Sequence, residues 1–121
     1  MTSWPPAQLG AIDADAEIDV AAARPDGTLR PFRTIWHVVV DHQLYIRSVR
    51  GTAGAWYRGV ERTGTGRLST GRDAIDVTFA RDDSRDELID QAYRDKYGSG
   101  SPVRAITSAQ ARATTLRVEP A

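Results

Sequence analysis

Apolar and polar positions alternate in short runs along most of this chain, and turn-forming residues separate the runs. Positions 17–24 alternate weakly between the two classes and predict a first strand. A Pro-Asp-Gly turn at 25–27 follows, because proline presets φ and glycine accepts a positive φ. Positions 29–32 then predict a returning strand, so the pattern begins as a β-hairpin.

The strongest strand pattern runs from Thr34 to Val40. It is β-branched or aromatic at nearly every position and apolar on both faces. Strands of this kind are covered on both sides, so we expect a barrel interior on one face and a helix or a second subunit on the other. Asp41-His42 predicts a two-residue turn, after which positions 44–49 run back antiparallel.

The second half of the chain predicts more short strands and a longer helix. Ser84 followed three residues later by Glu87 forms a capping box and predicts a helix that ends at Gly98. About six short antiparallel strands suit a small closed or half-closed β-barrel, in a single domain over residues 1–121. The remaining predicted elements are helices over 3–15 and 56–60, strands over 63–69, 74–80 and 113–118, and a flexible loop over 98–102.

Composition narrows the classes of function. With 121 residues the chain has the size of one domain, and its net charge of zero argues against a dedicated nucleic-acid binder. The absence of cysteine excludes disulfides, thiol catalysis and thiolate metal sites. We see no secretory signal and no apolar run of about 20 residues, so we expect a cytoplasmic protein without a membrane span.

The segment RSVRG, which begins at Arg47, carries the strongest functional signal. Arg47, Ser48 and Arg50 precede a Gly-rich turn into a helix, where backbone N–H groups at the positive helix end can bind an anion. Arginine adds charge-assisted hydrogen bonds. The two arginines point to opposite faces of a regular strand, so a bulge or the strand end has to bring them together. The alternative is that both are solvated and pair with Asp41 or Glu61.

The histidines and aromatic residues allow several roles. His37 and His42 are the only histidines and have no evident third ligand, so we expect no metal site. We expect His37 to be a satisfied side chain in the barrel wall. Trp36 is expected in the core or in a dimer interface, whereas Trp56 and Tyr57 suit core packing and stacking on a flat ring about equally.

Three segments, TIWHVVVDHQLYIRSVRGTAGAWYRGV, AYRDKYG and ARATTLRVEP, carry a resemblance to an uncharacterised bacterial family. The chain also resembles the split β-barrel superfamily of flavin and deazaflavin binders, which includes pyridoxamine-phosphate-oxidase-like proteins and deazaflavin-dependent nitroreductases. This resemblance implies a mainly β, α+β fold, a six-stranded antiparallel split β-barrel with short flanking helices. It also implies a homodimer with FMN or a deazaflavin coenzyme in a groove between two barrels.

The resemblance also implies which residues bind the cofactor, although it identifies no catalytic residue. In the superfamily a long central hairpin contacts the flavin ring, and basic and hydroxyl residues after it hold the phosphate. Of nine implied residues, the first three would lie beside the ring, the next four would lie at the phosphate, and the last two match a Trp-Tyr pair. The nine are Arg33, Thr34, Trp36, Arg47, Ser48, Arg50, Thr52, Trp56 and Tyr57.

Two classes of function follow from these observations. In the first, the chain is a flavin- or deazaflavin-dependent oxidoreductase, in which the cofactor carries the hydride and the protein supplies position and electrostatics. In the second, it is a cofactor-free small-molecule-binding protein or enzyme on the same barrel. Arg58-Gly59 favours the second, because the deazaflavin group usually has His-Asn there. A structural dimer without a ligand is a third, weaker reading.

Overall fold

A computed structural model of the chain describes residues 3–121. Seven strands form one antiparallel sheet in the order β2-β1-β5-β6-β7-β4-β3, which curves into a half-barrel. The strands are β1 (Ile18–Ala22), β2 (Arg33–Ile35), β3 (Val38–Val40), β4 (Gln43–Ile46), β5 (Thr65–Ser69), β6 (Ala74–Arg81) and β7 (Leu116–Pro120). The helices are α1 (Pro6–Ala14), α2 (Ala55–Thr63), α3 (Asp86–Tyr97), α4 (Ser101–Ile106) and α5 (Ala109–Arg112), with a 3-10 turn over Gly51–Ala53.

Two apolar clusters hold the sheet and helices together. The larger fills the half-barrel and includes side chains of α1 and α2 that cover it. The smaller lies between the β3–β4 hairpin and α3, so a helix covers that end of the sheet. A helix was one of the two covers expected for the second face of positions 34–40. The members of the first cluster with no exposed surface are Val20, Leu44, Ile46, Leu68 and Val118.

The longest predicted strand is interrupted in the structure. Positions 34–40 do not form one strand, because the chain leaves β2 after Ile35 and enters β3 only at Val38. The backbone N–H of His37 donates to the Tyr97 hydroxyl at 3.1 Å instead of to a neighbouring strand. β2 pairs with β1 and β3 pairs with β4, so the two halves of the predicted strand lie at opposite edges of the sheet. The predicted returning strand over positions 29–32 does not form and leaves only an isolated bridge between Ala23 and Leu29. The seven strands therefore include two from positions 33–40 and none from positions 29–32.

The predicted turn at Asp41-His42 is confirmed, and the backbone geometry explains a second local feature at Gly66. Asp41 and His42 both have positive φ, 50° and 61°, which is the conformation of a two-residue hairpin turn between β3 and β4. Gly66 lies where β1 and β5 approach closely, since a Cβ there would come 2.1 Å from the Ala21 carbonyl oxygen. A larger residue at Gly66 would therefore force the two strands apart.

Several predicted helix features were wrong. The Ser84 hydroxyl donates to Asp82 at 2.5 Å, and α3 begins after Arg85 with no side-chain cap, so the capping box does not form. Leu88 on α3 is 54% exposed and belongs to neither apolar cluster. The helix does end at Gly98, but the predicted loop over 98–102 leads directly into α4. Among residues 3–121 no helix is long and apolar enough to cross a membrane.

Candidate functional site

A groove of about 540 Å³ lies between β2, at one edge of the sheet, and the segment that follows β4, next to the other edge. We call it the split groove. The interruption after β2 creates it, because Trp36 and His37 carry the chain from one sheet edge to the other. Its volume is within the range of small-molecule sites. The lining residues are Glu17, Arg33, Thr34, Ile35, Trp36, Arg47, Ser48, Val49, Arg50, Gly54, Ala55, Trp56, Pro102 and Ile106.

Two arginines supply free positive charge to the split groove. Arg33 and Arg50 are both exposed, and within residues 3–121 neither guanidinium makes a hydrogen bond or an ion pair. Arg33 comes from β2 and Arg50 from the segment after β4. Glu17 is the only acidic residue among the described lining residues. The groove therefore presents two unpaired cations and one carboxylate to a ligand.

The N-terminus of α2 opens onto the same groove. Gly54, Ala55 and Trp56 line it, and this end of the nine-residue helix has no side-chain cap. Gly54 also lets the Ser48 hydroxyl approach, because a Cβ on Gly54 would come 2.4 Å from Ser48 Oγ. Backbone N–H groups and the helix dipole thus face the groove beside a hydroxyl and Arg50, which is an arrangement suited to an anion.

Two tryptophans supply flat surfaces. Trp36 is half-buried, lines the groove and stacks on Tyr97, with ring centroids 4.0 Å apart and planes 6° apart. Trp56 is half-buried and also lines the groove, whereas Tyr57 is only 2% exposed and belongs to the core. The rings of Trp56 and Tyr57 meet edge to face, with centroids 6.2 Å apart. Of the predicted Trp-Tyr pair, only the tryptophan reaches the groove.

Arg47 does not take the role that the resemblance implies. Its side chain is fully buried, so only its main chain reaches the groove. Nη1 donates to Asp90 at 2.5 Å and to the Ile106 carbonyl at 3.2 Å. Nη2 donates to the carboxylate of Asp86 at 3.0 Å and to its carbonyl at 3.2 Å, and Nε donates to the Thr115 hydroxyl at 2.9 Å. All five N–H groups are used, and none remains for a phosphate.

The alternative for the two arginines was right only in that Arg50 is solvated. Neither pairs with Asp41 or Glu61 within the described part of the chain, and Asp41 instead forms an ion pair with Arg85. The two guanidiniums are in different environments because β4 ends at Ile46 and the chain then turns. The two side chains therefore do not converge on one ligand, and the strand end does not bring them together as the anion-site prediction required.

The remaining predicted residues divide in the same way. Thr34 lines the groove, but its hydroxyl donates to Asp19 at 2.6 Å. Thr52 is exposed on the 3-10 turn and does not line the groove. The structure thus gathers Arg33, Thr34, Trp36, Ser48, Arg50 and Trp56 around one groove, and leaves the Arg47 guanidinium, Thr52 and Tyr57 outside it.

His37 lies behind the groove wall and is fully buried. One ring nitrogen, Nε2, lies 2.6 Å from the Ile12 carbonyl oxygen, but Nδ1 has no hydrogen-bond partner among residues 3–121. The expectation of a fully satisfied histidine was therefore only half right. Burial lowers the pKa of His37 to about 4, so the ring is neutral at physiological pH.

Sequence reasoning missed the contribution of α4. Pro102 and Ile106 line the groove from α4. The first two residues of this helix were expected in a loop, and no element was predicted for the rest. The signal was present: Gly98 ends one helix, and Pro102 falls in the first turn of the next, where its missing N–H costs nothing. Glu17 was also missed, because an isolated acid before a strand carries no signal of its own.

Comparison with known proteins agrees with this architecture. A family model described as "Uncharacterized protein conserved in bacteria (DUF2255)" matches residues 8–118. No curated protein matches the sequence at a significant level.

Several solved structures share the fold at low sequence identity. HutZ, the heme storage protein from Vibrio cholerae, matches with a TM-score of 0.70 and 10% identity, over 98% of this chain and 91% of HutZ. An F420 reductase matches with a TM-score of 0.60 and 15% identity, over 98% of this chain and 96% of that one. A putative pyridoxamine 5'-phosphate oxidase from Listeria innocua matches with a TM-score of 0.58 and 15% identity, over 93% and 88%. These likenesses establish the split-barrel fold.

Proposed function

The chain belongs to the bacterial family DUF2255, and we propose that its split groove binds a planar ring compound with an anionic group, namely FMN or a deazaflavin coenzyme. The ring would lie against Trp36 and Trp56, and the anionic group would lie at the N-terminus of α2 beside Ser48 and Arg50. An F420 reductase and a putative pyridoxamine 5'-phosphate oxidase of the same fold are in keeping with this class of ligand.

One observation carries this proposal: an unpaired arginine stands beside an uncapped helix N-terminus in a groove with aromatic walls. The Arg50 guanidinium has no ion pair within residues 3–121, and Arg50 and Ser48 both line the groove. Charged side chains without partners on a concave surface suit an oppositely charged ligand. A charge-assisted hydrogen bond from this arginine would contribute roughly 1.5–3 kcal/mol.

A bound flavin or deazaflavin would supply hydride transfer, which makes an oxidoreductase the corresponding activity. The chain's own residues would bind and orient it: the tryptophans limit how the ring can lie, and the cations at the two sheet edges hold charged substituents. Heme fits less well. None of the groove's lining residues, all within the described chain, is a His, Cys, Met or Tyr that could coordinate iron.

A cofactor-free small-molecule-binding protein or enzyme is the second candidate. It is favoured by Arg47, because Asp86 and Asp90 occupy a guanidinium that the resemblance assigns to the cofactor phosphate. A ligand with a single carboxylate would need only Arg50 and the helix N-terminus. This candidate keeps the groove and its anion site but not the hydride chemistry.

The test is a titration of the purified protein with FMN and, separately, with a deazaflavin, followed by absorbance and fluorescence. Saturable binding, with shifted bands or quenched emission, is the expected result and identifies the cofactor class. No binding of either compound overturns the cofactor proposal. A screen of carboxylate metabolites by thermal shift then tests the second candidate, which fails if no anion stabilises the protein.

We also propose a homodimer. Phe32 and Val49 are 41% and 49% exposed; Phe32 precedes β2, and Val49 lines the split groove. β2 is a three-residue edge strand with one unpaired side. A second subunit would cover these apolar groups and deepen the groove. Light scattering at micromolar concentration should give the dimer mass, and a monomer mass would exclude this assembly.

A further inference from the structure

Lys96, the only lysine of the chain, is enclosed by polar groups behind the groove wall. It lies near the end of α3, and its side chain is 20% exposed. Its Nζ donates to the His37 carbonyl oxygen at 3.1 Å and lies 3.2 Å from Nε2 of the same histidine. No described lysine competes with it, so any lysine chemistry of residues 3–121 occurs here.

The position of one hydrogen decides what this amine faces. Nε2 of His37 is 2.6 Å from the Ile12 carbonyl oxygen, which can only accept, so Nε2 carries the hydrogen and donates it. A protonated Lys96 would therefore direct an N–H group toward another N–H group 3.2 Å away. A neutral amine relieves this contact, because it carries one N–H fewer and no positive charge. The geometry favours the neutral amine over the ammonium ion.

Other groups around Lys96 act in both directions. Asp13 on α1 lies 3.8 Å away and favours the ammonium, but its side chain is 51% exposed, so water screens it. Asp15 is held by two hydrogen bonds from Arg72, at 3.1 and 2.8 Å, which reduces its effect on Lys96. The Tyr97 ring, 5.4 Å from Nζ, also favours the cation. Burial outweighs these and lowers the pKa of Lys96.

We propose that Lys96 is a nucleophilic amine and the site at which this chain is acylated by small activated acyl donors such as acyl phosphates. The amine lone pair attacks the acyl carbon and an N–C bond forms. The C–O bond to phosphate breaks, phosphate leaves with the electron pair, and the amine proton passes to the departing phosphate or to water. No oxidant, metal or further reactant is needed. The proposal is independent of the ligand proposed for the split groove.

Acylation of Lys96 would also affect the wall of the split groove. Lys96 precedes Tyr97, which stacks on Trp36, and Trp36 lines the groove. Modification removes the positive charge of any protonated amine and places an acyl group on Nζ, which donates to the His37 carbonyl. The Tyr97 hydroxyl donates to Ala16 at 2.8 Å and accepts from the His37 N–H at 3.1 Å. After acylation, these two bonds would hold the segment between β2 and β3 without the contact from Lys96.

The experiment measures acetylation of the full-length protein by acetyl phosphate, with intact mass and peptide mass as readouts. The α-amino group of the chain is the internal reference. At about pH 8 we expect Lys96 in the folded protein to react about threefold or more faster than in urea-unfolded protein, because only the neutral amine is a nucleophile. A rate equal to or below that of the unfolded chain, or labelling of the α-amino group alone, overturns the proposal.

Two variants test the cause. Asp13→Asn removes the carboxylate that favours the ammonium, so Lys96 should react faster still. Asp95→Asn is the matched control, since Asp95 is exposed on the same helix and its carboxylate accepts from Gln91 rather than from Lys96. Slower labelling in Asp13→Asn, or an equal change in both variants, would overturn the electrostatic explanation. Lys96→Arg should abolish the labelled peptide and confirms the assignment.

Discussion

Arg47 and Arg50 are three residues apart and have opposite environments. Arg47 belongs to a buried network in which Asp86 and Asp90 bind its guanidinium and Arg112 binds Asp90 from the other side, at 2.8 Å. Arg50 stands at the rim of the split groove without an ion pair in the described chain. One arginine joins β4 to α3, and the other is available to a ligand.

The difference teaches how burial decides the role of a charge. A buried guanidinium loses its hydration, so the fold has to supply a partner for every N–H group, and α3 supplies two carboxylates. An exposed guanidinium keeps its hydration and needs no partner. Only the second kind can exchange water for a ligand at little cost to the fold. The network is thus structural, and the groove is where binding is expected.

The largest effect is expected from Arg47→Ala. This change removes the buried cation that binds Asp86 and Asp90 and leaves Asp90 with Arg112 alone. Breaking a buried ion pair costs about 3–5 kcal/mol of unfolding free energy. Urea unfolding followed by circular dichroism measures it. Arg50→Ala is the matched control and should change the unfolding free energy by less than about 0.5 kcal/mol. Equal costs in the two variants would contradict the distinction between network and groove.

Acid should weaken the groove wall before it affects the aspartates. His37 has a folded-state pKa of about 4 and an unfolded value of 6.5, so between these values only the unfolded chain binds the proton. The stability it contributes is complete above pH 6.5 and is lost as the pH falls toward about 4. At about 1.4 kcal/mol for each pH unit, the loss approaches roughly 3 kcal/mol.

Urea unfolding between about pH 4.5 and 7 tests this, with His42→Gln as the control because His42 is exposed. His37→Gln should flatten the pH dependence and His42→Gln should leave it unchanged. Asp15 and Asp82 have pKa values lowered by hydrogen bonds from Arg72 and Ser84, so their contribution is lost only below this range. The same slope in wild type and His37→Gln would contradict the assignment.

Ligand binding should depend on Arg50. Arg50→Ala is expected to weaken whichever of FMN or a deazaflavin binds by about 1.5–3 kcal/mol, because one charge-assisted contact is lost. The affinity is measured by the same fluorescence titration. Arg58→Ala is the control, since Arg58 is exposed on α2, away from the groove lining, and removes the same charge. Similar losses in both variants would indicate general charge attraction and not a site at Arg50.

The smallest effect is expected from Thr52→Ala. The resemblance places Thr52 near a phosphate, but the residue is exposed on the 3-10 turn and does not line the groove. We expect a change of less than about 0.5 kcal/mol in both ligand affinity and stability. A tenfold loss of affinity on titration would show that the anion lies further along this turn than the groove geometry indicates.

Most individual strands and turns were predictable because their signals are local. The two-residue turn at Asp41-His42 follows from the apolar runs on either side, and α3 ends where Gly98 permits it. Six of the nine implied site residues line the groove, since they lie in two stretches of chain, 33–36 and 48–56, that form its walls. The capping box at Ser84 failed because its hydroxyl is used by Asp82, two residues away.

The sequence by itself determined the α+β class, the hairpin around Asp41-His42 and a basic segment leading into a helix, since alternation, turn residues and charge act over a few residues. Tertiary structure alone decided that positions 34–40 are divided between two sheet edges and that Arg47 is buried while Arg50 is free. Those outcomes depend on partners far along the chain, namely Tyr97 for the interruption and Asp86 and Asp90 for the guanidinium. Burial and pairing across such separations cannot be predicted from the local sequence pattern, because that pattern is compatible with either arginine pairing with the carboxylates.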